Sequence, residues 1–366
     1  MRRLVAVPLV AALVPLGVAV VAAAPAHAAT VSTPGGYVAV SPKRVADTRV
    51  GLNVPKARVR AGQTVTAAIL GHGGLPGSDV SAVQVTITVL SPTAGGGITA
   101  FGGGSAPGTT NLQFSAGQAV SDEAIVPVAG RGIRVKDTQS SGTVDVIVDL
   151  QGYYRAGTPT QPGAYHPLPS AVRAIDTRTG TGLARRAPLG GRAAVVATPR
   201  GTGLPATGVG AVAVTITAVG PTRPGSIVAW PYGSGRPLSA SLYFAARKGG
   251  SAFAVVPLAG GHLDLYNSAT AAVNVVVDVV GYYAAGVPTA AGAFGPLAAQ
   301  RVYAAGFAAG QTKPVRVTGA GVPRPGGTVA LVSITVVSPS RGGGITAWQS
   351  AVARPGTTTM QFSAGQ

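Results

Sequence analysis

The sequence predicts an all-β protein made of tandem antiparallel β-sandwich repeats, jelly-roll-like, with about eight or nine strands in each. Two observations predict this class. The same sequence recurs with a period of about 120 residues, and each unit is a series of short apolar segments separated by Gly, Pro and Ser, without a convincing helical stretch. A β-trefoil or a propeller blade is less well supported, because the unit exceeds one blade and has no internal threefold period.

The repeats divide the chain into seven segments. They are a signal peptide (1–28), an N-terminal leader (29–36), repeat 1 (37–154), a linker (155–164), repeat 2 (165–283), a second linker (284–293) and a truncated repeat 3 (294–366). Both linkers are rich in proline and glycine, which predicts repeats that behave as beads with modest interfaces.

The strands of repeat 1 are predicted from short apolar segments bounded by turn residues, at 37–40, 45–49, 64–69, 82–89, 98–101, 111–114, 124–128, 133–136 and 143–150. In the segment 82–89, Val83, Val85 and Ile87 fall on one face and Gln84 and Thr86 on the other, which predicts a half-buried strand. Repeat 2 shows counterparts at 211–218, 242–244, 254–258, 263–266 and 272–280.

Repeat 3 matches only the first part of a unit. Its last residues, 362–366, repeat the sequence of 114–118, after which repeat 1 continues to Tyr154. Without counterparts of the later strands its sheets would have open edges. We therefore expect 294–366 to be less stable than the complete repeats, with limited proteolysis leaving about 29–290 intact.

The N-terminus has the order of a secretory signal. Arg2 and Arg3 precede an apolar run over 4–24, and Ala-His-Ala at 26–28 suits cleavage before Ala29. The alternative is an uncleaved anchor, which the prolines and the glycine within and beside the run disfavour. The sequence thus predicts a secreted, extracellular protein with no membrane span after cleavage.

Composition limits the partners. The chain has no cysteine, which excludes disulfides and thiolate metal ligands. Its 28 Lys+Arg and 10 Asp+Glu give a net charge of +18, and the basic residues are spread out rather than grouped as in a nucleic-acid-binding arm. We expect weak attraction to anionic polymers outside the cell, and no nucleic-acid partner.

Asp-Thr-Arg recurs near the start of both complete repeats, at Asp47 to Arg49 and Asp176 to Arg178. On a strand, an Asp and an Arg two apart point to one face and could grip a polar ligand. The favoured interpretation is a charged network that pins a corner of the fold. Residues 304–306 of repeat 3 read Ala-Ala-Gly instead. The alternative function, a secreted hydrolase, would use aspartates near this corner.

A second acidic pair, Asp145 and Asp149, lies on one face of the last strand, and its counterparts are Asn274 and Asp278. Two carboxylates could bind calcium or act as acid and base, but no liganding loop surrounds them. No histidine recurs at an equivalent position, and no G-x-S-x-G elbow occurs. We therefore predict no catalytic residue, no metal and no cofactor.

Aromatic residues are the remaining candidates for binding. Phe101, Trp230 and Trp348 occupy equivalent positions, and Tyr232 lies close to the second of them. Exposed aromatic rings stack on sugars, whereas buried ones fill a core, and the core interpretation is favoured at the Trp position. The predicted binding residues are Asp47, Arg49, Asp176, Arg178, Trp230, Tyr232 and Trp348.

Four motifs together resemble a known family. They are Arg-x-x-Asp-Thr-Arg (44–49, 173–178), Val-x-Val-Thr-Ile-Thr (83–88, 212–217), Val-Pro-(Val/Leu)-Ala-Gly (126–130, 256–260) and Val-Asp-x-x-Gly-Tyr-Tyr (148–154, 277–283). The chain resembles the tandem all-β modules of secreted actinobacterial proteins, found alone or beside cell-wall-acting enzymes such as amidases. The resemblance implies an extracellular or envelope-associated accessory module. We therefore expect a non-catalytic, cell-wall-associated protein that binds or scaffolds at the cell surface or cell wall, with anionic or polysaccharide cell-wall polymers as partners. The alternative is a fragment of a longer cell-wall-acting protein.

Overall fold

The computed structural model describes residues 33–238, 240–296, 301–319, 330–332, 334–336, 339–350, 352–357 and 359–362. The predicted signal peptide lies outside these residues. Within them, no helix has the length and apolar character needed to cross a membrane. All regular elements that the described residues form are β-strands.

The strands follow one another in the same order in both complete repeats. Repeat 1 contains β1 (Tyr37–Asp47), β2 (Val59–Arg60), β3 (Thr64–Ala67), β4 (Val80–Leu90), β5 (Gly96–Phe101), β6 (Leu112–Phe114), β7 (Val120–Pro127), β8 (Ile133–Asp137) and β9 (Thr143–Arg155). Repeat 2 contains β10 (Tyr165–Asp176), β11 (Ala194–Ala197), β12 (Val209–Val219), β13 (Gly225–Pro231), β14 (Leu242–Phe244), β15 (Gly250–Pro257), β16 (Leu263–Asn267) and β17 (Asn274–Ala284). The described part of repeat 3 contains β18 (Gly343–Ile345) and β19 (Met360–Phe362).

Each complete repeat is a sandwich of two antiparallel sheets. In repeat 1 the long sheet has the order β1-β9-β4-β7, with β2 also paired to β9, and the short sheet has the order β3-β8-β5-β6. Repeat 2 reproduces both apart from β2, as β10-β17-β12-β15 and β11-β16-β13-β14, and has a single bridge between Leu189 and Val273 in the place of β2. Two four-stranded sheets connected in this order form a jelly roll. The predicted fold class is confirmed.

A hydrophobic core fills the space between the two sheets of each repeat. On β8, Ile133 and Val135 are buried in the core while Arg134 and Lys136 alternate with them, as period two requires. The central strand β4 differs from the half-buried prediction because both of its faces are buried. Its second face is covered because Ala82 packs against the other repeat.

The Asp-Thr-Arg motif is a turn rather than part of a strand, which corrects the predicted segment 45–49. Strand β1 runs without a break from Tyr37 and ends at Asp47. The backbone N–H of Arg49 donates to Asp47 Oδ1 at 3.0 Å, and that of Gly51 donates to the Asp47 carbonyl at 3.0 Å. An aspartate that accepts from the backbone two residues later favours a turn over a continuing strand.

A third buried cluster joins the repeats and consists of aromatic and small side chains from the outer faces of the two long sheets. Tyr154 and Tyr283, which end the two repeats, share a hydrogen bond of 2.6 Å between their hydroxyls. The Tyr165 ring lies 4.4 Å from Tyr154 and 5.1 Å from Tyr283, and Phe294 of repeat 3 lies 4.4 Å from Tyr283, measured between ring centroids. The repeats therefore pack together, where the linkers had predicted beads.

The start of each repeat is hydrogen-bonded to the segment preceding another repeat. The three backbone bonds are Tyr165 N to Gly35 O (2.9 Å), Phe294 N to Gly163 O (2.8 Å) and Tyr37 N to Gly292 O (2.9 Å). The three accepting glycines all have positive φ, at 72°, 73° and 77°. The first residue of repeat 2 thus bonds to the segment before repeat 1. In the same way, the first residue of repeat 3 bonds to the segment before repeat 2, and the first residue of repeat 1 to the segment before repeat 3. The bonds close a ring through the three repeats.

Contacts between strands follow the same cyclic order. Strand β6 of repeat 1 lies beside β15 of repeat 2, and β19 of repeat 3 lies beside β7 of repeat 1. Strands β18 and β19 form a hairpin equivalent to β5 and β6. In it Thr346 Oγ1 donates to the Thr357 carbonyl at 2.9 Å, as Thr99 does to Thr109 in repeat 1.

Candidate functional site

The predicted site residues Asp47 and Arg49 lie in a charged corner at the end of β1. Arg49 Nη2 lies 2.7 Å from Asp47 Oδ2, and Arg44 bridges Asp47 at 3.3 Å and Asp149 on the neighbouring strand β9 at 3.0 Å. Both aspartates are buried, with 2% and 1% of their surface exposed. The corner therefore brings two carboxylates together and pairs both of them with arginine.

Repeat 2 forms the same corner from Arg173, Asp176, Arg178 and Asp278. Arg178 Nη2 lies 2.8 Å from Asp176, and Arg173 Nε lies 3.0 Å from Asp278. The second amino group of Arg173 also donates to the carbonyl of Gly108 in repeat 1, at 3.3 Å. A cleft of 210 Å³ lies at this contact, lined by Thr110, Gln113, Arg173, Arg178, Thr217, Val219, Val276 and Asp278.

The electrostatics of Asp47 and Asp176 oppose acid–base chemistry at these two carboxyls. Hydrogen bonds from Arg49 and Arg178 lower the pKa of the Asp47 and Asp176 carboxyls, whereas burial raises the pKa of Asp278. A carboxylate held ionised by a bidentate arginine is a weak proton acceptor at neutral pH. In the described residues, no three His, Cys, Asp or Glu side chains come close enough to hold a metal ion.

Beside the corner the two repeats differ. In repeat 1, Arg58 lies 3.7 Å from Asp145 and its Nη2 donates to the carbonyls of Ser91 and Thr143. In repeat 2 the equivalent residues are Pro188 and Asn274. There, an open groove of 310 Å³ lies next to the corner. This repeat 2 groove is lined by Thr177, Arg178, Arg186, Ala187, Pro188 and Asn274.

The predicted aromatic residues have two different environments. Trp230 is buried and its indole N–H donates to the Ser234 carbonyl at 3.0 Å; the Trp348 indole does the same to Val352 at 3.1 Å. Each indole therefore holds the segment of chain that follows it. Tyr232 is 47% exposed and its ring packs edge-on against His262 at 5.7 Å.

Sequence reasoning missed several residues on these surfaces. Arg186, in the repeat 2 groove, gave no motif, but the replacement of Arg58 and Asp145 by Pro188 and Asn274 could have marked the position. Other missed residues are on the outer face of the short sheet of repeat 2, where the Arg236 guanidinium stacks 3.9 Å from the Tyr266 ring and Tyr243 is 52% exposed.

The acidic residues of the chain are largely used internally. All ten lie among the described residues, and six of them form ion pairs with arginine: Asp47, Asp79, Asp145, Asp149, Asp176 and Asp278. Asp137 is fully buried, and Asp122 and Glu123 lie where repeats 1 and 2 meet. Little negative charge therefore faces outward.

Comparison with known proteins leaves the family open. Neither a protein-family model nor a curated protein matches the chain. Among solved structures, it is similar to the N-terminal CBM22-1–CBM22-2 tandem domain of Xyn10C from Paenibacillus barcinonensis, with 12% identity over 68% of this chain and 94% of that one. The TM-score is 0.19, which is too low for this likeness to bear on fold or function.

Proposed function

We propose that this protein is a non-catalytic scaffold that acts outside the cell and binds anionic polymers of the cell wall. The observation that carries the proposal is the separation of charge. Of the ten acids, all but Asp264 are held in ion pairs, buried, or placed where repeats 1 and 2 meet, whereas many basic side chains are exposed and have no ion pair within the described residues: Lys56, Arg60, Arg131, Arg185, Arg186, Arg192, Arg200, Arg223, Arg247 and Lys248. A surface of that kind attracts polyanions.

The non-catalytic part of the proposal rests on the two charged corners. The aspartates that a hydrolase would need do converge, but Arg44, Arg49, Arg173 and Arg178 pair with them in the sheets. Removing these carboxylates from solvent and neutralising them favours a structural role. The exposed guanidinium groups of Arg49 and Arg178 remain candidates for contact with a polymer.

Retention on immobilised polymers tests this function. Purified mature protein is passed over poly(glycerol phosphate), polygalacturonate and neutral dextran at about 50 and about 300 mM salt. We expect retention on the two polyanions that weakens with salt but persists at the higher concentration. Complete release at the higher salt would reduce the binding to charge attraction, and preference for dextran would instead favour sugar stacking on Tyr232.

A further inference from the structure

The two complete repeats provide an internal comparison at one surface position. In repeat 1 the Arg58 side chain lies over Asp145 and is held by two backbone carbonyls, so the protein's own ion pair covers the position. In repeat 2 proline and asparagine replace that pair, and the same place is the open repeat 2 groove. The fold around it is unchanged, because Thr177 Oγ1 accepts from Val275 N at 3.0 Å as Thr48 Oγ1 accepts from Val146 N.

Hydrogen-bond donors dominate the polar lining of the groove. Arg186 is exposed and has no ion pair within the described residues. Arg178 uses Nε and Nη2 on Asp176, which leaves its Nη1 without an acceptor among these residues. Asn274 Oδ1 accepts from Thr177 at 3.0 Å, so its amide nitrogen is left as a further donor. No carboxylate lines the groove.

We propose that the repeat 2 groove is a binding site for an oxyanion, the phosphate or carboxylate group of an anionic polymer. Two guanidinium groups supply planar, charged donors to such a group, and the neutral amide of Asn274 supplies one more donor. The volume of 310 Å³ is in the range of small-ligand sites. This inference rests on the proposed function, because the groove is where the anionic polymer would bind. In repeat 1 the equivalent position is filled by Arg58 and Asp145.

The decisive variant is Pro188→Arg/Asn274→Asp, which installs the repeat 1 ion pair in repeat 2. It adds one positive and one negative charge, so the net charge of the protein is unchanged. Binding of inorganic phosphate, of poly(glycerol phosphate) and of polygalacturonate is measured by calorimetry for this variant and for wild type. We expect the variant to lose at least about tenfold in affinity for the preferred group, because the installed ion pair covers the groove and places a carboxylate against the anion. The two polymers distinguish phosphate from carboxylate.

A second pair of variants separates the groove from general charge. Arg186→Ala removes a groove donor, and Arg131→Ala removes an exposed arginine of repeat 1, so both change the net charge equally. We expect loss of affinity in the first only. Equal losses, or wild-type affinity in Pro188→Arg/Asn274→Asp, would overturn the site while leaving the proposed function intact. If neither polymer binds wild type, the proposed function fails.

The reciprocal variant Arg58→Pro/Asp145→Asn tests the inference by gain of binding. It opens the equivalent position in repeat 1 and again leaves the net charge unchanged. We expect the stoichiometry of phosphate binding to rise from one to two per chain. A stoichiometry that stays at one, with a correctly folded variant by circular dichroism, would contradict the assignment of the ligand to this position.

Discussion

The phenol ring of Tyr37 lies across Gly152, which is paired with Ala39 on the neighbouring strand. The Tyr37 hydroxyl donates to the Gln151 carbonyl at 3.2 Å, so the ring is held against the strand. Tyr165 covers Gly281 in the same way in repeat 2. The glycine of Val-Asp-x-x-Gly-Tyr-Tyr is thus required because no space remains for a side chain.

Gly152→Ala should destabilise repeat 1. A methyl group would collide with the Tyr37 ring, and displacing that ring disturbs its contact with Tyr154, at 5.1 Å between centroids. We expect a loss of about 1–3 kcal/mol in the free energy of unfolding, measured by urea denaturation. Gly77→Ala is the matched control, because a Cβ there meets no atom within 4 Å. Equal effects in both variants would contradict the steric explanation.

Asp137 and Asn267 occupy equivalent positions, but only the asparagine side chain has hydrogen-bond partners for both of its polar atoms. Asn267 Nδ2 donates to the carbonyls of Leu189, Gly190 and Ala271 at 2.8–3.1 Å. Asp137 is fully buried, its Oδ1 accepts from Gln139 N at 2.8 Å, and its Oδ2 has no hydrogen-bond partner. Burial raises the pKa of Asp137.

Asp137→Asn should therefore stabilise the protein. The variant supplies the donor that repeat 2 has, and removes a carboxyl that must lose its proton in a buried site as pH rises. Because the folded pKa is raised, the wild type loses stability as pH rises above the ordinary pKa of 3.8, so the gain should be larger at pH 8 than at about pH 3. We expect about 1–3 kcal/mol at pH 8 by urea denaturation, and a similar loss for Asn267→Asp. A less stable Asp137→Asn variant at both pH values would refute this.

At the scale of elements, the edge strand β7 of repeat 1 meets the edge strand β15 of repeat 2. Both carboxylate oxygens of Asp122 lie within hydrogen-bond distance of the Phe253 backbone N–H, at 3.2 and 3.1 Å. Glu123 beside it accepts from Gln84 on β4. Burial raises the pKa of Asp122 to about 8 and also raises that of Glu123. An acidic side chain thereby covers a strand edge that would otherwise be open.

The packing of the repeats should weaken as pH rises. The folded state keeps a proton on Asp122 that the unfolded chain releases near its ordinary pKa of 3.8, so stability declines between about pH 4 and pH 8. Asp122→Asn keeps an oxygen that accepts from Phe253 and removes the ionisation. We expect a smaller slope of melting temperature against pH, measured between pH 5 and pH 9. An unchanged slope would show that Asp122 does not titrate in this range.

The same elements show what the sequence could predict. Short apolar segments between turn residues located most strands, because a buried strand needs apolar side chains and Gly, Pro and Ser bound it. They placed the seventh strand at 124–128, whereas β7 begins at Val120, because polar residues such as Asp122 and Glu123 do not signal a strand. These two side chains are covered where repeat 1 meets repeat 2. The sequence of repeat 1 alone does not indicate that contact. The Asp-Thr-Arg motif indicated the charged corner. No motif indicates the repeat 2 groove, because it arises where Pro188 replaces an arginine of repeat 1.

At the scale of the whole molecule, the ring of backbone hydrogen bonds shifts the expected C-terminal end of the protease-resistant core. Gly292 accepts from Tyr37 N at 2.9 Å, and the Phe294 ring packs on Tyr283. Both lie beyond residue 290, the end expected from the repeat boundaries alone. The start of repeat 3 is therefore part of the buried contact between the complete repeats.

Limited proteolysis with mass spectrometry should give a resistant fragment that ends after Phe294. Phe294→Ala removes the aromatic contact with Tyr283, so the end should move back to about residue 290. Phe307→Ala is the control, because Phe307 is 46% exposed and lies outside the aromatic cluster. A wild-type fragment that ends before Gly292 would show that the ring opens readily in solution.

The closed ring also bears on how the repeats can diverge. In a trimer of identical subunits, a substitution appears on all three faces at once. Here one chain supplies every member of the ring, so Pro188 and Asn274 change repeat 2 while Arg58 and Asp145 persist in repeat 1. If the groove binds a polymer as proposed, repeats 1 and 2 together are monovalent for that group. Such a protein would coat a single polyanion chain. Cross-linking two polyanion chains would require a second site.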